Sequence, residues 1–120
     1  EADGGTRTAA ITGGYVALAH AVDSLKKNGL LKNGDPLLTP VAAISCGIVN
    51  GTARLDLDYE EDAAADVDAN IIMTGDGMLV ELQMSGEEAT FTETQMTELM
   101  ALGKKGIAEL AAHQMKAIAA

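Results

Sequence analysis

The spacing of apolar residues predicts an α+β fold: one helix, a four-stranded antiparallel sheet made of two hairpins, and a C-terminal helix. Three observations carry that prediction. Both ends of the 120-residue chain repeat apolar residues every three or four positions. The middle alternates them at every second position, and glycine-containing turns separate the two regimes. Helices covering the apolar face of a sheet whose other face is wet are the layered arrangement that this order supports.

The first helix is expected over residues 6–28. Ile11, Tyr15, Leu18, Val22 and Leu25 recur at helical spacing and form one face, and Asn28-Gly29 ends the run with a residue able to adopt a left-handed cap. The stretch GLLKNGDPLLTP (29–40) holds both prolines and reads as a loop. A strand follows at about 41–50 (VAAISCGIVN). Asn50-Gly51 then suits a type I′ hairpin turn, because both central residues tolerate positive φ.

The return strand is expected over 52–60, with Ala53, Leu55, Leu57 and Tyr59 on one side and Arg54, Asp56, Asp58 and Glu60 on the other. A second hairpin is expected at 67–74 and 78–85, joined through Gly75-Asp76-Gly77. The last helix is expected over 92–119. Thr92 and Gln95 fit a capping box, and Met96, Leu99, Gly103, Ile107, Leu110, Gln114 and Ile118 form its stripe.

Composition bounds what such a fold can do. The length suits one domain, 48% of residues are hydrophobic and 22% charged, and aromatics are only 2%, so Leu, Ile, Val, Met and Ala must fill the core. No run of residues is apolar enough to cross a bilayer, and the single cysteine, Cys46, excludes an internal disulfide and favours a reducing cytoplasm. Cys46 is expected as a small apolar residue in a buried strand. The formal net charge of −10 argues, for this chain alone, against gripping a phosphate backbone.

Two stretches carry chemistry. In EADGGTRTAAITGG, Gly4-Gly5 lets a backbone approach a ligand closely, Thr6 offers a hydroxyl, and Arg7 offers a planar fork matched to phosphate oxygens. All precede or open a helix, where free N–H groups and the macrodipole favour an anion. The alternative is a glycine turn with Thr6 as a cap and Arg7 in solvent. In DLDYEEDAAADVD (56–68), seven carboxylates stand without a base, which suits a hard divalent cation such as Mg²⁺ or else a solvated acidic face. An EF-hand is excluded, since Glu61 and Val67 stand where the loop needs Gly and Glu. Asp62, Asp66 and Asp68 flank a short apolar linker at a strand crossing, where acids can converge. His20, His113 and Ser45 have no partner that suggests catalysis.

Taken together, EADGGTRTAAITGGYVALAHAV, VAAISCGIVNG, LDLDYEEDAAADVDANIIMTGDG and FTETQMTELMALGKKGI resemble the C-terminal half of the bacterial ribonuclease PH family. The similarity runs in order through the whole chain, with DGGTRTA and EDxAAxxD-x-N its most specific segments. It implies half of a fold of the ribosomal protein S5 domain 2 kind. The activity it implies is phosphate-dependent 3′-to-5′ exoribonuclease: inorganic phosphate attacks the terminal linkage of RNA, tRNA precursor 3′ ends are trimmed, and nucleoside diphosphates leave. By the same resemblance Gly5, Thr6 and Arg7 hold phosphate, while Asp62 and Asp68 are catalytic and associate with Mg²⁺.

It further implies a missing N-terminal half that supplies another phosphate-contacting arginine and most of the RNA grip, a homo-oligomer (a hexamer in the family), and no membrane. The acidic balance of this chain is then no objection. Two other readings stay open: a non-catalytic ring subunit, and a truncated chain that self-associates without chemistry. Departures from the family pattern are the LKNGDPLLTP loop and Cys46, neither of which touches the expected sites.

Overall fold

A computed structural model of the protein describes residues 1–32, 34–37 and 39–120. In chain order it holds α1 (Thr6–Lys27), β1 (Val41–Val49), β2 (Thr52–Leu55), α2 (Tyr59–Ala64), β3 (Val67–Thr74), β4 (Leu79–Gly86) and α3 (Glu93–Ala119). The strands form one antiparallel sheet in the order β2-β1-β3-β4. The α+β class and the two hairpins are therefore as expected. Residues 29–40 contain no helix or strand among those described; Asn33 and Leu38 of that stretch lie outside the described residues.

Each helix begins for a different reason. At α3 the expected capping box is present: Thr92 Oγ1 accepts from Gln95 N–H, and the Gln95 side chain accepts from Thr92 N–H. At α2 the side chain of Asp58 accepts from Glu61 N–H, and Glu60, Glu61 and Asp62 stand in the first turn, where the macrodipole favours acids. At α1 the cap is Gly5, in the left-handed conformation at φ 64°, and no side chain closes it.

Helix α2 corrects the sequence reading. The second strand stops at Leu55 instead of running to Glu60. Asp56 adopts φ 58°, which breaks the alternation. Ala53 and Leu55 pack with the main core, but Leu57 is buried in a second cluster with Val49 and Ala65, and Tyr59 is exposed. The buried face of α1 is also rotated from the expected one. Leu18 and Leu25 are exposed, whereas Thr8, Ala19 and Val22 are buried. Small residues face the sheet because α1 comes very close to it: Thr12 Oγ1 accepts from Ala43 N–H at 3.0 Å and donates to Ala43 C=O at 3.1 Å.

The main core lies between the sheet and α3. Ile44, Cys46 and Ile48 of β1 and Val67, Ala69 and Ile71 of β3 meet Leu99 and Ile107. Glycine makes that approach possible, since a Cβ at Gly103 would overlap Ile71 and one at Gly106 would overlap Ile44 and Leu55. The helices pack on β1, β2 and β3, leaving Met78, Leu79, Val80 and Leu82 exposed at the β4 edge. This uncovered edge matches the elongated shape: the radius of gyration is 16.5 Å, against ~14 Å for a compact chain of this length.

Two outcomes are expected. Gly103→Leu should lower unfolding stability by about 1–3 kcal/mol through overpacking, whereas Gly13→Ala, where nothing lies within 4 Å, should raise it by about 0.5–1 kcal/mol; chemical denaturation measures both. Burial, and secondarily the charge of Asp68, push the Cys46 thiol up to about 12, so a thiol reagent at mildly alkaline pH should label it only after unfolding.

Candidate functional site

Alternation places Ser45 and Gly47 of β1, and Asp68, Asn70 and Ile72 of β3, on the sheet face opposite the α3 core. Helix α1 brings its N-terminus to this face. A Cβ at Gly5 would stand 3.5 Å from Thr8 Oγ1, 3.8 Å from Ser45 Oγ and 3.9 Å from an Asp56 carboxylate oxygen. The first intrahelical bond runs from Ala9 N–H to Gly5 C=O at 2.9 Å, so the N–H groups of Thr6, Arg7 and Thr8 precede it. Free amide donors, the positive end of a 22-residue helix and a glycine that clears the approach form a cradle for an anion.

Arg7 extends this cradle across the sheet. It forms an ion pair at 2.8 Å with Glu81 of β4, two strands beyond the one α1 packs on, with both side chains about half exposed. Glu81 pairs in register with Ile72, so the guanidinium crosses the face that carries Asp68 and Asn70. An exposed pair of this kind is weak and exchanges readily for a bound anion.

The acidic segment reaches the same face through Leu57. A Cβ at Gly47 would overlap the Val67 carbonyl oxygen and stand 2.8 Å from Leu57 Cδ1; Leu57 is 2% exposed and anchors the segment on the sheet. Asp3 tethers the N-terminus to it by accepting from Tyr59 N–H at 3.1 Å. Asp62, exposed on α2, is close enough for its charge to act on Asp68. Burial first, then the charges of Asp62 and Glu87, hold the Asp68 carboxyl above the ordinary carboxylate range, while a bond from Ala69 N–H opposes them.

Among the described residues no group of three or more His, Cys, Asp or Glu side chains stands together as a metal site. Two carboxylates are by their chemistry a suitable donor set for Mg²⁺, which takes one or two carboxylates, keeps waters, and accepts further oxygens from a phosphate substrate. The structure brings Gly5 and Arg7 to the sheet face that carries Asp68, and Thr6 opens α1 beside them; Asp62, exposed on α2, reaches Asp68 through its charge, and Asp66 is exposed, with its backbone bonded to Ile48 and Glu87. A groove of about 540 Å³ lies elsewhere, between the C-terminal ends of α1 and α3. Its acids and lysines pair with one another, Lys26 with Asp35 at 3.1 Å and Lys27 with Asp23 at 2.9 Å.

Four further contributors escape the sequence reading. The Asp58-x-x-Glu61 spacing is a helix start signal that marks α2. Glu81, Glu87 and Ser45 carry no local signal, because only strand pairing and α1 packing bring them to the site.

Comparisons with known proteins bear on the family and the fold. Residues 39–106 match the model of the 3′ exoribonuclease family, domain 2. Ribonuclease PH of Corynebacterium efficiens is 56% identical over 98% of the chain, and that of Roseobacter denitrificans is 57% identical over 99%. The chain spans about half the length of these relatives, 47% and 50%. Among solved structures, rice (Oryza sativa) Rrp46 superposes with a TM-score of 0.77 at 19% identity, covering 99% of this chain and 50% of that one. The Archaeoglobus fulgidus exosome with RNA bound to the active site gives 0.58 at 20% identity, covering 74% and 35%. These two show a shared fold.

Charge crowding makes one outcome measurable without turnover. Asp68→Asn should raise the melting temperature in the absence of divalent cations. Added Mg²⁺ should raise that of the parent chain but not of the variant. A Mg²⁺ shift that survives the substitution would place the cation elsewhere.

Proposed function

This chain belongs to the 3′ exoribonuclease family, and on that premise we propose that it forms the phosphate- and metal-binding half of a phosphate-dependent 3′-to-5′ exoribonuclease. One observation carries the proposal: the uncapped N-terminus of α1 opens onto the sheet face that holds Asp68, with Arg7 reaching across it. The names of the curated relatives supply the reaction class.

In the proposed reaction, an oxygen of inorganic phosphate attacks the phosphorus of the last linkage of RNA. The bond to the 3′ oxygen breaks, the terminal nucleotide leaves as a nucleoside diphosphate, and the shortened RNA keeps a 3′ hydroxyl that takes up a proton. The nucleophile is already anionic, so position and charge neutralisation matter more than a strong base. Gly5 and the first-turn N–H groups hold the attacking phosphate. Thr6 adds a hydroxyl, and Arg7 leaves Glu81 to grip two phosphate oxygens. Asp62 and Asp68 would hold Mg²⁺, which when bound supplies charge neutralisation at the reacting oxygens.

The finer reading is that the substrates are 3′ ends of tRNA precursors in the cytoplasm and that the active species is a homo-oligomer. With a net charge of −10, the cationic grip on RNA belongs to a part of the protein outside this chain. That part, or a second copy, is expected to cover Met78, Leu79, Val80 and Leu82 on β4. Among the described residues no helix is long and apolar enough to cross a membrane.

Nucleoside diphosphate release from a short RNA, with Mg²⁺ and with or without inorganic phosphate, tests the proposal. Phosphate-dependent diphosphate release is expected, and nucleoside monophosphates would mean hydrolysis and overturn it. Arg7→Ala should raise the phosphate KM by about 10- to 100-fold, the loss of charge-assisted bonds, and change RNA binding little. Equal loss of both would make Arg7 structural.

A further inference from the structure

Among the described residues, Ser45 carries the one buried hydroxyl on this face that has no hydrogen-bond partner. It is 6% exposed. A buried hydroxyl left in that state costs stability, so structures satisfy nearly all of them. Its position answers what it is for. Gly5 lies directly above it, and a Cβ there would come within 3.8 Å of Ser45 Oγ. The other hydroxyl at this spot, that of Thr8, already donates to Gly5 C=O at 3.0 Å and has no proton to offer. Ser45 does.

We infer that Ser45 Oγ donates a hydrogen bond to the phosphate held at the N-terminus of α1, making Ser45 a binding residue of that subsite. The inference rests on the anion-cradle reading proposed above and adds a donor that comes from the sheet floor, opposite the helix. Register places it well. Ser45 pairs with Asn70, and its diagonal neighbour on β3 is Asp68, a Cβ separation of about 7 Å. A phosphate oxygen that reaches Ser45 Oγ beside the Gly5 cap thereby brings its phosphate next to Asp68. Asp56, whose carboxylate also borders the cradle, accepts a hydrogen bond from the P–O–H of hydrogenphosphate, whose proton stays on the phosphate, whereas Ser45 donates to an unprotonated oxygen.

The test compares Ser45→Ala, Ser45→Cys and Arg7→Ala in the native full-length protein, with inorganic phosphate as the probe. Ser45→Ala and Ser45→Cys should each raise the phosphate KM about tenfold or more and leave the RNA KM unchanged. The melting temperature without phosphate should be unchanged or higher, since an unsatisfied hydroxyl is removed, and the stabilisation by added phosphate should shrink. If Arg7→Ala raises the phosphate KM while both Ser45 variants leave it alone, the Ser45 inference fails and the cradle stands. If none of the three changes it, the cradle reading itself fails. A drop in the phosphate-free melting temperature of both Ser45 variants would show that Oγ is already bonded within the fold, which also overturns the inference.

Discussion

The rest of the structure depends on how the outer edge of β1 is completed. Strand β2 pairs only with residues 46–49 of β1, so the outward backbone groups of residues 41–45 need other partners. Buried and unpaired, they would each cost about 1–3 kcal/mol. Gln114 Nε2 donates to Val41 C=O at 2.8 Å, Thr12 Oγ1 serves both groups of Ala43, and Asp56 N–H donates to Ser45 C=O at 2.8 Å. A side chain from α3, a side chain from α1 and the backbone after β2 thus share one strand edge. This arrangement locks the two helices and the acidic segment to the same strand. It also fixes the N-terminus of α1 over Ser45.

Electrostatics at the site work against stability. Burial, and then the charges of Asp62 and Glu87, raise the affinity of Asp68 for a proton. The neighbouring cation, Arg7, is committed to Glu81. A fold selected for stability alone would separate these acids or pair them. Their presence on a face that also carries an uncapped helix N-terminus suits the proposed site for a cation beside an anion, in which each ligand would relieve charge that the protein leaves unbalanced.

The sheet shows the same incompleteness at its far edge. Val80 is 61% exposed and Met78 65%, and β4 offers its outer backbone groups to no other strand among the described residues. Long apolar edges are protected in working proteins, because they otherwise recruit other chains. Since the curated relatives are about twice as long, a cover for β4 from outside this chain is the economical explanation of both the exposure and the elongated shape.

Much was legible in the sequence because its signals are local. Helical and strand periods, the Asn50-Gly51 turn, the Thr92–Gln95 box and the GGTR stretch at a helix start each depend on residues a few positions apart, and each determined its element. Asp58-x-x-Glu61 was equally legible but was masked by the alternation of apolar and acidic residues, which looks like a strand until Asp56 turns the chain. What only the tertiary structure decided concerns residues far apart in sequence: the rotation of α1 onto its small residues, the ion pair of Arg7 with Glu81, and the burial of Ser45 beneath Gly5. Local periodicity states which side of an element is apolar. It does not state which partner meets that side or how closely, because that is set by the backbone groups and volumes of every element packed there.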